Sequence, residues 1–243
     1  SDILTVTNTA IAYPFTIVKT FSGVDALPDT FVITDQNGRR YTLKDAAKQG
    51  NTYTWTGNAD YGTEFRLTES GMAVHGYYLA STVNGQIETS GTLKITAEEK
   101  NNVITFSNTY TAQTRTVTVT KQFNGLTDEE VPTGFAITGL GENLTLANAK
   151  KTGDFTYQWT RDVAYGTNLT LSETGYAVSG YQVAAAVNGN PGTGIELTVG
   201  DDNNISFVNS YSKKYTEEDD VNRPSFTIRK VDQDGNLLAG AVF

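Results

Sequence analysis

The chain has 243 residues, with 27 acidic and 18 basic side chains, a formal charge of -9 and no cysteine. That acidity excludes a surface built to hold nucleic-acid phosphates. The lack of cysteine excludes disulfides, thiolate metal sites, a Cys nucleophile and a Cys-derived thioester. No run is long and apolar enough to span a membrane and no signal peptide opens the chain, so targeting and anchoring parts are expected outside these residues.

In chain order, the first element is "LTVTNTA" (residues 4–10), which alternates like a closing strand and carries Asn8. "FTIVKTF" (15–21) follows as an opening strand, with Phe15, Ile17, Lys19 and Phe21 on one face. After the turn "DQNG", residues 43–48 are the one helix-like stretch, too short for a layer and read as a single turn. "TYTWT" (52–56) is a strand whose Trp55 is expected in the core. In "FRLTE" (65–69) Phe65, Leu67 and Glu69 share a face. "VITFSNTY" (103–110) puts Ile104, Phe106, Asn108 and Tyr110 on one face.

The pattern then repeats. Thr52 in "TYTWT" returns as Thr156 in "TYQWT", and Tyr61–Gly85 returns 104 residues on as Tyr165–Gly189. "VTVTKQF" from Val117 matches the opening strand and "ISFVNSY" the closing one. "FTIRKVDQDGNLLAGAVF" (226–243) starts the pattern a third time, after the charged connector 212–225. The expected organisation is all-β: the final strand of a preceding module in 1–10, modules at 11–113 and 114–213, and a linker with the first strands of a following module at 214–243. Short strands at regular spacing point to a sandwich.

Three polar residues interrupt the apolar faces. Lys19, Lys121 and Lys230 lie mid-face in the opening strands, Glu69 and Glu173 in the middle, and Asn8, Asn108 and Asn209 at the close. One inward Lys snorkels to water and one inward Asn is satisfied by hydrogen bonds. A recurring set asks for chemistry, because an uncompensated buried ammonium costs several kcal/mol. Amide exchange uses these three side chains. A buried lysine has a lowered pKa and is a nucleophile as the neutral amine. The Asn amide is the electrophile. A carboxyl in the same apolar pocket stays protonated and shuttles protons to the departing ammonia.

The opening, middle ("LTESGMAVHGY", "LSETGYAVSGY") and closing segments resemble CnaB-type, SpaA-like modules of Gram-positive surface proteins and pilins, over nearly the whole chain. The resemblance implies an inverse-immunoglobulin, transthyretin-like sandwich in an elongated array. It implies Lys19–Asn108 and Lys121–Asn209 isopeptide bonds, with Glu69 and Glu173 as proton relays. Val74 and Val178 stand where the family often has Pro. No cofactor or metal is implied.

Other motifs are set aside. "LPDTF" (27–31) has Phe31 where a sorting signal has Gly, and is expected to begin the second strand. "AYPF" lacks the lysine of a pilin-type motif. "DQDGN" (232–236) lacks the distal ligands of a calcium loop and reads as a hairpin turn. His75, the one histidine, becomes Ser179 in the repeat. The expected function is a cell-wall-attached, extracellular stalk or spacer of an adhesin or pilus-like fibre, whose partners are neighbouring modules. The alternatives are a module that binds a host protein or glycan through loops such as 139–153, and an accessory domain of a glycan-degrading enzyme.

Overall fold

The computed structural model describes residues 10–214 and 230–236. The alternation read from the sequence becomes two-faced strands. In β1 (Ala12–Ser22), Phe15, Ile17, Lys19 and Phe21 are buried, while Thr16, Val18 and Thr20 are only half-covered. The strands that follow are β2 (Val32–Thr34), β3 (Arg40–Thr42), β4 (Ala47–Gln49), β5 (Thr52–Asp60), β6 (Glu64–Ser70), β7 (Tyr77–Val83), β8 (Ser90–Lys94) and β9 (Val103–Ala112). They make a five-stranded sheet, β4-β5-β1-β9-β7, and a four-stranded sheet, β3-β2-β6-β8. Phe15, Ile17, Trp55, Ile104 and Phe106 of the first meet Ile33, Leu67 and Leu93 of the second in one core. Trp55 is buried as expected, and its ring N–H donates to the Thr42 carbonyl at 2.9 Å.

The pairing that matters most is between the first and last strands. β1 runs antiparallel to β5 but parallel to β9, with Lys19 opposite Phe106 and Phe21 opposite Asn108.

The same order recurs in β10 (Thr114–Asn124), β11 (Ala136–Thr138), β12 (Leu144–Thr145), β13 (Lys150–Gly153), β14 (Thr156–Ala164), β15 (Asn168–Thr174), β16 (Tyr181–Val187), β17 (Asn190–Pro191), β18 (Gly194–Thr198) and β19 (Asn204–Lys213). Their sheets are β13-β14-β10-β19-β16-β17 and β12-β11-β15-β18. Val117, Val119, Phe123, Trp159 and Phe207 are buried on one, and Ile137, Leu144 and Leu171 on the other. The protein is thus an all-β sandwich protein. By compactness, among the described residues, 10–119 with Trp159–Leu171 and Ile195–Ile205 form one unit, and Thr120–Gln158, Ser172–Gly194, 206–214 and 230–236 form the other.

Of two local expectations, the single turn at 43–48 is met in part and the strand start at "LPDTF" is corrected. Residues 43–48 hold a single 3-10 turn only at Leu43–Asp45, closed by Thr42 Oγ1 donating to Asp45 at 2.6 Å. Ala47–Gln49 is instead a strand on the edge of β5, with Ala47 opposite Thr54. Ladder hydrogen bonds to that edge outweigh the weak helix preference of Ala and Lys. "LPDTF" does not begin a strand: it is a turn in which Phe31 N donates to Pro28 O at 3.1 Å, and β2 starts at Val32. Residues 232–236 do form a turn, with Asp232 N donating to Asn236 O at 2.9 Å.

Candidate cross-linking sites

Strand periodicity aims Lys19 and Asn108 inward from one sheet and Glu69 inward from the facing one. Lys19 is 0% exposed, Glu69 3% and Asn108 1%. Lys19 Nζ donates to Glu69 Oε2 at 2.5 Å. The lysine nitrogen lies over the rings of Phe21 (5.0 Å) and Phe31 (5.1 Å). Phe21, whose ring the amine lies over, is the residue paired with Asn108 across the parallel ladder.

Burial strips water from the amine and lowers Lys19 to about 8, against the opposing pull of Glu69. Burial likewise pushes the Glu69 carboxyl up, opposed by Lys19 and then by Ser81 and Asn108. Both shifts favour the uncharged forms, neutral amine and neutral acid. Asn108 Nδ2, Asn108 Oδ1 and Glu69 Oε1 have no hydrogen-bond partner. An unsatisfied buried polar group costs about 1–3 kcal/mol, so such a concentration in one pocket needs a reason beyond folding.

The second site repeats the first. Lys121 and Asn209 are 0% exposed and Glu173 3%. Lys121 Nζ donates to Glu173 Oε2 at 2.6 Å and lies 5.0 Å from the Phe123 ring and 5.1 Å from that of Phe135. Burial lowers Lys121 to about 8. Asn209 Nδ2 and Oδ1 and Glu173 Oε1 again lack partners. All members of the first site fall in the first compact unit and all members of the second in the other.

Phe31 and Phe135 were missed as pocket residues, because they lie in irregular turns where period-two reading has no purchase. A signal existed: each is a lone aromatic after a Pro in matched segments, "LPDTF" and "VPTGF". Asn8 lies outside the described residues, and Lys230 is exposed. His75 is a surface residue whose Nε2 contacts Asp201 Oδ2 at 2.8 Å. Among the described residues no group of three or more His, Cys, Asp or Glu could hold a metal, and no helix is long and apolar enough to cross a membrane.

No family model and no curated protein matches the chain. Solved structures similar to it include the Bacillus anthracis TIE protein (14% identity, TM-score 0.37, 83% of this chain and 35% of that one). The major pilin from Streptococcus pyogenes matches at 15% identity and TM-score 0.30, over 85% of this chain and 99% of that one. A C-terminal fragment of the pilus adhesin SpaC from Lactobacillus rhamnosus GG matches at 16% and 0.31, over 85% and 99%. The chain spans about a third of the TIE protein's length.

Proposed function

We propose that each site joins its own lysine to its own asparagine, and that the cross-linked modules serve as a load-bearing stalk of a bacterial surface protein. The observation that carries this reading is the twofold occurrence of one arrangement: a fully buried lysine amine on a buried glutamate, beside a buried asparagine amide with neither polar atom partnered.

The chemistry balances without any cofactor. Neutral Nζ attacks the Asn Cγ, forming the new C–N bond. The glutamic acid donates its proton toward the amide and takes one from the attacking nitrogen. The Cγ–Nδ2 bond breaks, one ammonia leaves, and a neutral secondary amide remains where a buried amine had been. Each module reacts once on itself, so this is self-modification rather than turnover. Modules 11–113 and 114–213 are the proposed units of the array, set in line with neighbours of the same kind on the cell wall.

The strand topology supports the mechanical reading. β1 and β9 are parallel neighbours, so tension applied to the start of β1 and the end of β9 shears the ladder between them. A covalent Lys19–Asn108 clip lies across that ladder and carries the load past it. Intact-mass measurement of the folded chain tests the reading: a deficit of two ammonia molecules is expected, and the full sequence mass would overturn it.

A further inference from the structure

The two sites match in their lysine, acid, amide and both phenylalanines, and in a tyrosine: Tyr110 OH donates to Met72 O at 2.6 Å and Tyr211 OH to Tyr176 O at 2.6 Å. They differ at one polar position. Ser81 of β7 is the residue directly opposite Asn108 in the antiparallel β7–β9 pair, and Ala185 of β16 is the residue opposite Asn209. Residues opposite one another in such a pair share a face, with Cβ atoms about 4.5–5.5 Å apart. Asn108 faces the core, so Ser81 does too, in line with the half-buried Leu79 and buried Val83. Ser81 also lines a surface cavity of about 330 Å³ with Met72, Leu79, Ile87, Glu88 and Thr89, so the residue opposite the buried amide borders solvent as well.

We infer that the Ser81 hydroxyl is a positioning and proton-relaying group for the first module's cross-link, one that the second module lacks. In the reacting arrangement it is placed to accept an N–H from Asn108 Nδ2 and to donate its own proton to Glu69 Oε1. Those are two of the atoms left without partners. This fixes the amide with Oδ1 toward the acid and links the leaving nitrogen to the carboxyl. Once the tetrahedral adduct has formed and Nδ2 is an amine with a lone pair, both hydrogen bonds reverse: Glu69, carrying the proton taken from the attacking nitrogen, protonates the hydroxyl oxygen as the hydroxyl proton passes to Nδ2. The hydroxyl is regenerated and ammonia leaves beside the cavity. Burial raises the Glu69 carboxyl, and the Ser81 hydroxyl and the Asn108 amide are among the weaker neighbours that act to lower it. The inference rests on the cross-linking reading.

The test is cell-free synthesis of the full chain in the cold, with samples quenched in denaturant. Peptide mapping then follows the Lys19–Asn108 and Lys121–Asn209 products separately, each module serving as the other's control. Ser81→Ala should slow the first product about tenfold, the worth of one hydrogen bond made in the transition state, and leave the second unchanged. Ser81→Thr should restore the rate, and Ala185→Ser should speed the second product. Alanine is what the second module carries at this place, so Ser81→Ala is expected to fold. Equal rates in Ser81→Ala and the parent, or a loss that Thr does not rescue, would overturn the relay while leaving cross-linking intact. Absence of both products in the parent would overturn the underlying reading as well.

Discussion

Between β3 and β5 the first module makes a 3-10 turn at Leu43–Asp45 and the three-residue strand β4. The matching stretch of the second module has a two-residue β12, its own 3-10 turn at Leu146–Asn148, and a four-residue β13 whose register shifts between Lys151 and Gly153. The pockets show no such drift. Lysine-to-glutamate contacts of 2.5 and 2.6 Å, and ring contacts of 5.0 and 5.1 Å in both, reproduce each other to within a tenth of an ångström. The lesson is where geometry is constrained. An edge loop needs only its backbone hydrogen bonds met, which many turns can do. A set of ionisable groups sealed in an apolar core tolerates one arrangement, because an unpaired charge there costs several kcal/mol.

The sharpest way to break that likeness is Glu69→Ala. It should abolish one ammonia loss and leave the second module's cross-link untouched. A cross-link closing a loop of about 90 residues is worth about 4–5 kcal/mol in the chain-entropy model. Calorimetry should therefore show the first module's Tm falling by about 20 °C or more, with the second module's transition in place. Glu173→Ala should give the mirror image. A smaller effect is expected from Phe31→Ala or Phe135→Ala. Each removes a buried ring against the amine at a cost of about 3 kcal/mol, and each admits water, which should slow cross-linking in its own module alone.

Smaller again is a pH effect visible only without the bond. In Asn108→Ala, Lys19 keeps Glu69 as its partner but cannot react. Its folded pKa of about 8 lies below the ordinary 10.5. Between those values the unfolded chain holds a proton that the folded chain lacks, so stability should rise with pH through that window. A Tm that falls there would contradict the buried, desolvated amine. Tyr110→Phe and Tyr211→Phe should produce the least change, about 1 kcal/mol each for one lost hydrogen bond to a carbonyl, and should do so equally in the two modules.

Most of the site was legible in the sequence, because a strand's period of two says which face a residue is on without saying what lies opposite. Lys19, Asn108 and Glu69 could be placed inward from "FTIVKTF", "VITFSNTY" and "FRLTE". What could not be read was the contribution of residues outside strands or across the sheet. Phe31 reaches the amine from a turn. Ser81 follows Leu79 at strand spacing and looks like any half-buried serine until the register sets it against Asn108. The edge strand at Ala47–Gln49 was hidden for the same reason: its conformation is dictated by β5, and local composition favours a turn. The third lysine, Lys230, fits the sequence pattern and is exposed.

The central claim is that a covalent bond joins the first strand of each module to its last. Proteolytic digestion of the denatured, folded-in-origin chain, read by tandem mass spectrometry, addresses it directly. The account predicts two branched peptides, one joining Lys19 to Asn108 and one joining Lys121 to Asn209, each lighter by one ammonia than its two arms together. Recovery of the four segments as separate linear peptides with intact Lys and Asn would contradict it.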